Sequence, residues 1–265
     1  MSILGYFASI LIGVSLGLIG GGGSILTVPV LVYLIGLDPV LSTAYSLFVV
    51  GTTSLAGAFA YMKKRLVNYR AALVFAVPSF ITVFLTRKFI VPAIPDPVFT
   101  LGDFTLQKGA GIMGLFALIM LAAAFSMIMG SKKDTNESEN NALNFNFPLI
   151  ALEGAAVGLL TGLVGAGGGF LIIPALVLLA KLPMKMAVGT SLLIIAAKSL
   201  VGFLGDLGQQ TIDWQFLTVF TSLSVVGIFL GSYLTRFIPG EKLKRVFGWF
   251  VLGMAAVILW KEFGG

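Results

Sequence analysis

The chain has no cysteine and no histidine, and only 11% of its 265 residues are charged. Each scarcity closes off a class of chemistry. Without cysteine there are no disulfides, no thiolate nucleophile and no thiolate metal site. Without histidine there is no imidazole base, no His-based metal centre and no triad that uses one. Soluble domains carry nearer a quarter of charged residues. With 58% hydrophobic residues and a mean hydropathy of +1.04, this chain belongs in a bilayer. No cofactor and no metal are expected, and an intramembrane enzyme would lack its usual nucleophile and base. What is plentiful is glycine, and it is clustered.

The stretch Gly17–Pro29, GLIGGGGSILTVP, returns as GLVGAGGGFLIIP over Gly162–Pro174, 145 positions later. Without a gap, Gly17–Gly57 lies over Gly162–Gly202 with 16 of 41 pairs identical. Gly20/Gly165, Gly22/Gly167, Gly23/Gly168, Pro29/Pro174, Ser46/Ser191, Ser54/Ser199 and Gly57/Gly202 are among them. Shared apolar composition does not put glycines, a proline and serines into one register, so the chain is an internal duplication. In each copy an apolar run meets a glycine cluster, which breaks the helix and supplies positive φ where needed. The element that restarts at Ser24 or Gly169 has about thirteen residues. At ~1.5 Å per residue this is ~20 Å, short of a ~30 Å hydrocarbon core. A half-helix or re-entrant helix is expected in each copy.

The expected class is an all-α polytopic membrane protein of two inverted repeats with about 8 full transmembrane helices. Residues 1–130 form the first repeat, 131–147 a polar cytoplasmic linker and 148–265 the second. Met1–Leu18 reads as a retained first segment, since it lacks a basic leader and a small-residue cleavage site. In each repeat the run before the break and the half-helix after it return the chain to its starting side. Three crossings follow, so each repeat crosses an odd net number of times and the copies are inverted. Charge agrees. If Lys63, Lys64, Arg65 and Arg70 are cytoplasmic, twelve basic residues lie inside and four outside (Arg87, Lys88, Lys108 and Lys261). The net charge of +6 therefore reports topology and not nucleic-acid binding. Val91–Gln107 reads as a proline-containing loop.

The paired glycine blocks, with the continuation LPMKMAVGTSLLIIAAKSLVGFLGDLG over Leu182–Gly208, resemble the sulfite exporter TauE/SafE family over the whole chain. The resemblance implies a bacterial or archaeal plasma-membrane transporter of sulfur-containing anions such as sulfite or organosulfonates. It fixes a class of substrate and not a compound. It also leaves export, import and oligomeric state open.

Candidate substrate-binding residues follow from the residues themselves. Two broken helices at matched places in an inverted repeat point to a midplane site where helix N-termini face an anion. Those positions are Gly21, Gly22, Gly23 and Ser24, and Gly167, Gly168 and Gly169. The competing reading is packing, because Gly13, Gly17 and Gly21, like Gly154, Gly158 and Gly162, form small-xxx-small ridges. Lys198 is the basic residue set well inside an apolar segment, and it either contacts the anion or snorkels toward Asp206. Ser46, Thr53, Ser54, Ser191 and Ser199 supply hydroxyls on the segment after each half-helix. Such groups more often bond the carbonyl one turn back. Glu153, within an apolar run, is a candidate for proton coupling or a solvated interfacial residue. Together these give a carrier for a small anion, with the bilayer as its other partner; an importer or channel for small anions is the alternative reading, ahead of a membrane scaffold or an intramembrane enzyme.

Overall fold

The computed structural model describes residues 3–21, 23–101, 104–129, 147–165, 167–169, 172–173, 176, 182–209, 211–234 and 240–263. Helix α1 (Ile3–Ile19) ends at Gly20, where φ is +75°. Helix α2 (Gly23–Pro29) restarts after the break and continues as a π-helical turn, Val30–Leu34. Pro29 lies inside this element, lacking an N–H and pressing its ring on the preceding turn. The ladder just after it widens, with the Ile35 N–H donating to the Val30 carbonyl at 3.0 Å. Gly36, at φ +80°, lets the Leu37 N–H reach back to the Leu31 carbonyl at 3.0 Å, which closes the element. Gly23–Leu34 is thus a half-helix of about 18 Å at ~1.5 Å per residue.

Helix α3 (Pro39–Lys63) starts with Pro39 in its first turn and an Asp38 side chain that accepts from the Val40 N–H at 2.8 Å. Helix α4 (Tyr69–Leu85) is capped by Asn68 and runs on through a π-helical turn (Thr86–Ile90) to Ala93. Arg87 and Lys88 therefore stand on a helix. The segment read as a loop also contains a hairpin, with β1 (Phe99–Leu101) antiparallel to β2 (Phe104–Leu106). Its FTL-GD-FTL sequence repeats apolar–polar alternation around a turn-forming pair. Then come α5 (Lys108–Met129), α6 (Phe147–Val164), α7 (Met184–Leu204), α8 (Trp214–Leu234) and α9 (Gly240–Phe263). The linker, apart from Phe147 at the start of α6, lies outside the described residues.

Among the described residues, four helical stretches are long and apolar enough to cross a membrane: Pro39–Lys63, Tyr69–Ala93, Lys185–Leu204 and Trp214–Leu234. Shorter apolar helices span Leu4–Ile19, Gly23–Leu34, Lys108–Ala122 and Pro148–Val164. The protein is an all-α membrane protein, with one small hairpin among the described residues. Its centre is the pair α3 and α7, whose apolar windows are 67% and 72% buried, against 39% for α4 and α8. The outer helices keep lipid-facing stripes, such as Leu73, Val77, Ile81 and Leu85 on α4.

Helix α1 packs on α8, α4 on α6, α3 on α7 and α5 on α9, while α4 also meets α7 and α3 meets α8. Individual contacts come in reciprocal pairs under the 145-residue shift. Gly57 faces Ile228 and Leu192, and Gly202 faces Val83 and Leu47. Gly13 abuts Ser224, and Gly158 abuts Ser79. Helices α3 and α7 run antiparallel. Near the start of α3, Tyr45 Oη accepts from the Asp213 N–H, beyond the end of α7, at 2.6 Å. Just past the end of α3, the Asn68 N–H donates to Thr190 Oγ1, near the start of α7, at 2.9 Å.

Candidate functional site

The two glycine breaks meet backbone to backbone. At Gly21 a Cβ would run into the Gly169 backbone, and at Gly169 it would lie 2.5 Å from Gly21 Cα. The repeat mates Val50 and Ile195 line the junction. A Cβ on Gly167, where φ is +64°, would come 2.7 Å from Val50 and 3.2 Å from the Ser24 Cβ. The Ser24 hydroxyl donates to the Gly21 carbonyl at 2.6 Å, and Gly23 packs on Ile12 and Leu16 of α1. At Gly21 and Gly169, close approach of the two breaks accounts for the glycine, so the packing reading applies there. Gly22 lies outside the described residues.

Gly168 differs, because side-chain ends and not backbone fill the space beside it. A Cβ there would stand 2.6 Å from Lys198 Nζ and would crowd Thr161 Oγ1. Lys198 is fully buried and donates to Thr161 Oγ1 at 2.9 Å. It does not snorkel to Asp206, whose carboxylate is held by another cation. A buried ammonium with a hydroxyl as its neighbour is costly unless a further acceptor reaches it.

The hydroxyls divide into two groups. The Ser191 hydroxyl is shared between the Val188 carbonyl at 2.8 Å and the Gly20 carbonyl at 3.1 Å, which ties α7 to the first break. The hydroxyls of Ser46, Thr53, Ser54 and Ser199 are buried without a hydrogen-bond partner among the described residues. They do not bond the carbonyl one turn back, so their capacity is free for something else. Glu153 stands about two turns before Thr161 on α6. It is half-buried, and its Oε2 has no partner among the described residues.

Arg87, counted from the sequence among the four outside charges, is fully buried. Its Nε lies 3.0 Å from Asp206 Oδ2, and its Nη2 donates to Thr43 Oγ1 at 2.9 Å. Thr43 in turn abuts Gly165. Burial pushes the Asp206 carboxyl up to about 6, and the Arg87 guanidinium opposes that rise. Two features of the sequence pointed this way. Arg87 broke the inside-outside charge pattern, and the Gly205–Asp213 turn holds two aspartates and no basic residue. The two buried cations among the described residues thus flank the second break, Lys198 at Gly168 and Arg87 through Thr43 at Gly165.

Comparison with known proteins places the chain in a family. The family described as sulfite exporter TauE/SafE matches residues 6–258. A probable membrane transporter protein of Xylella fastidiosa (strain 9a5c) is 30% identical over 95% of this chain and 92% of its own length. The probable membrane transporter protein YunE of Bacillus subtilis is 28% identical over 83% of each chain. An archaeal relative, from Methanocaldococcus jannaschii, is 33% identical over 43% of this chain and 46% of its own length. No solved structure matches. These names and the apolar helices make the chain a multi-pass transporter of the plasma membrane, and it belongs to the sulfite exporter TauE/SafE family.

Proposed function

We propose that the chain is a secondary transporter of small sulfur-containing anions, sulfite, organosulfonates or related compounds. Two inverted repeats rock against each other, and the anion binds between them. The reciprocal contacts and the antiparallel run of α3 and α7 support the inversion. Two repeats of four crossings plus a half-helix give eight full crossings, with the shorter apolar helices tilted or completed by flanking residues.

The observation that carries this reading is Lys198, a fully buried ammonium pressed against the second glycine break. An anion there gains a charge-assisted hydrogen bond from the Lys198 ammonium; the second half-helix, expected from Gly169, lies mostly outside the described residues. Ser54 and Ser199, with Thr53 and Ser46, add hydroxyls from the two central helices. Glu153 carries the coupled proton, supported by its buried and unpartnered Oε2. Counterflow of labelled sulfite in proteoliposomes tests the whole reading. A carrier accelerates uptake of label against internal unlabelled sulfite, and Lys198→Met depresses it. Uptake that neither saturates nor responds to internal sulfite means a channel, and no sulfite-dependent flux at all overturns the proposal.

A further inference from the structure

Arg87 carries more hydrogen-bonding capacity than its neighbours use. A guanidinium has five N–H donors. Among the described residues, Nη2 has Thr43, Nε faces Asp206 without a well-aligned hydrogen bond, and Nη1 has no partner at all. The side chain is nonetheless fully buried. Leaving such a group under-bonded in the interior is expensive, and a lone buried ion pair seldom repays it. Beside the pair lies a cleft of about 280 Å³ lined by Val40, Val91, Pro92, Lys108, Asp206 and Gln209. Its lining joins the first turns of α3 and α5, the end of α4 and the turn after α7. By the charge pattern this is the outer end of the molecule.

We propose that Arg87 is a second anion-binding residue, the receptor of an outer vestibule site for a small oxyanion, and that Asp206 is its resident stand-in. An oxyanion coming in from the cleft, attracted by Lys108, displaces the Asp206 carboxylate and pairs with the Nε–Nη2 edge of the guanidinium, Nη2 giving Thr43 only one of its two N–H groups. That fork matches two oxygens of a sulfite or sulfonate group. Arg87 belongs to the first repeat and Asp206 to the second, so displacing one from the other also unties the repeats at their outer end. Thr43, bonded to Arg87 and pressed on Gly165, connects the vestibule to the second break. The proposal deepens the anion-transport reading but stands at a different residue from Lys198.

The test is heat stabilisation of the purified full-length protein by sulfite, with sulfate and chloride as parallel arms. Asp206→Asn removes the internal rival, so the half-maximal sulfite concentration is expected to fall about tenfold or more, the size of one charge-assisted hydrogen bond. That gain persists in Asp206→Asn/Lys198→Met and vanishes in Asp206→Asn/Arg87→Met. The pair Arg87→Met/Asp206→Leu replaces both charges with apolar groups; it keeps the fold, and keeps only whatever sulfite response Lys198 provides. If Asp206→Asn is recovered folded only when sulfite is present, the dependence itself supports the site. An unchanged sulfite concentration, a gain that depends on Lys198 instead of Arg87, or equal stabilisation by chloride overturns it. A loss of response on Lys198→Met alone concerns only the central site, so the two readings fail separately.

Discussion

The two glycine breaks share a sequence grammar and keep different company. Around the first, Gly20 faces Val188, Gly23 faces Ile12 and Leu16, and the nearest serines bond backbone carbonyls. Around the second, Gly168 faces Lys198 and Thr161, and Gly165 faces Thr43, which holds Arg87. Duplication supplies the geometry twice, but the charge has been placed once. The repeat mates make the point: Lys198 corresponds to Thr53, Arg87 to Ser232, and Thr161 to Leu16. On the proposed reading the polar junction holds the central anion site, with the apolar first break as its structural counterpart.

The largest expected effect is all-or-none and tests the inversion on which the comparison rests. The chain has no native cysteine, so single cysteines at exposed Gln209 and Arg65 report without background. An impermeant thiol reagent added to intact cells is expected to label position 209 and leave position 65 untouched. Equal labelling, or the reverse, breaks the assignment of ends.

Next in size is the junction itself. Gly21→Val drives a branched side chain into the Gly169 backbone, where nothing flexible can give way. Overpacking of this kind costs about 3 kcal/mol or more, so little folded protein should survive, as read by size exclusion and thermal unfolding. Gly168→Ala meets the movable end of Lys198 instead, although its φ of +64° strains any side chain. It should retain more fold and lose more sulfite affinity than Gly21→Val. Equal losses of fold in both would mean that the second break is packed like the first.

The sequence disclosed the glycine breaks, the repeat register and the position of Lys198 inside an apolar run because each is a local signal. Consecutive glycines, matched spacing and a charge in an apolar run need no knowledge of distant partners. It did not disclose what Gly21 is for. An anion contact and a backbone contact both demand glycine, and only the position of Gly169 separates them. Nor did it reveal the Arg87–Asp206 pair, whose members lie 119 positions apart and meet across the repeats. The charge count put Arg87 on the outer side without a partner; the helix runs on through the π-helical turn at Thr86–Ile90 to Ala93, and Arg87 is buried within that turn. The first half-helix was legible in length, while the sequence reading took Pro29 only as a repeat marker and did not draw the local slip to π geometry that follows it.

Lys198→Met is expected to have the next effect. It keeps most of the stem's volume and removes the charge, so sulfite affinity falls by about 1.5–3 kcal/mol, roughly ten- to a hundredfold. Thermal stability without ligand should hold or rise, since the interior no longer houses an ammonium. Arginine should rescue poorly, because its planar fork does not fit beside Thr161 as a compact ammonium does. Unchanged affinity would remove the polar character of the second break from the mechanism.

The smallest effects come from two serines that the duplication pairs, and they separate scaffold from site most finely. Ser191 gives its proton to the Val188 and Gly20 carbonyls, so it belongs to the first break as a brace. Its mate Ser46 is equally buried and has no partner among the described residues. Ser191→Ala deletes a made hydrogen bond and leaves a buried carbonyl short of a donor, a loss of about 1 kcal/mol in stability. For a chain of this size that lowers Tm by roughly 2–4 °C. Ser46→Ala deletes nothing the folded protein uses, so Tm should be level or slightly higher. If the Ser46 hydroxyl meets the anion, sulfite affinity falls about two- to tenfold, the size of a neutral hydrogen bond. The two alanine variants, measured on the same day for Tm and for sulfite affinity, should therefore fail in opposite columns. Matching losses of stability would make Ser46 a second brace, with its partner among the residues of the second break; matching losses of affinity would extend the site to the first break and undo the asymmetry.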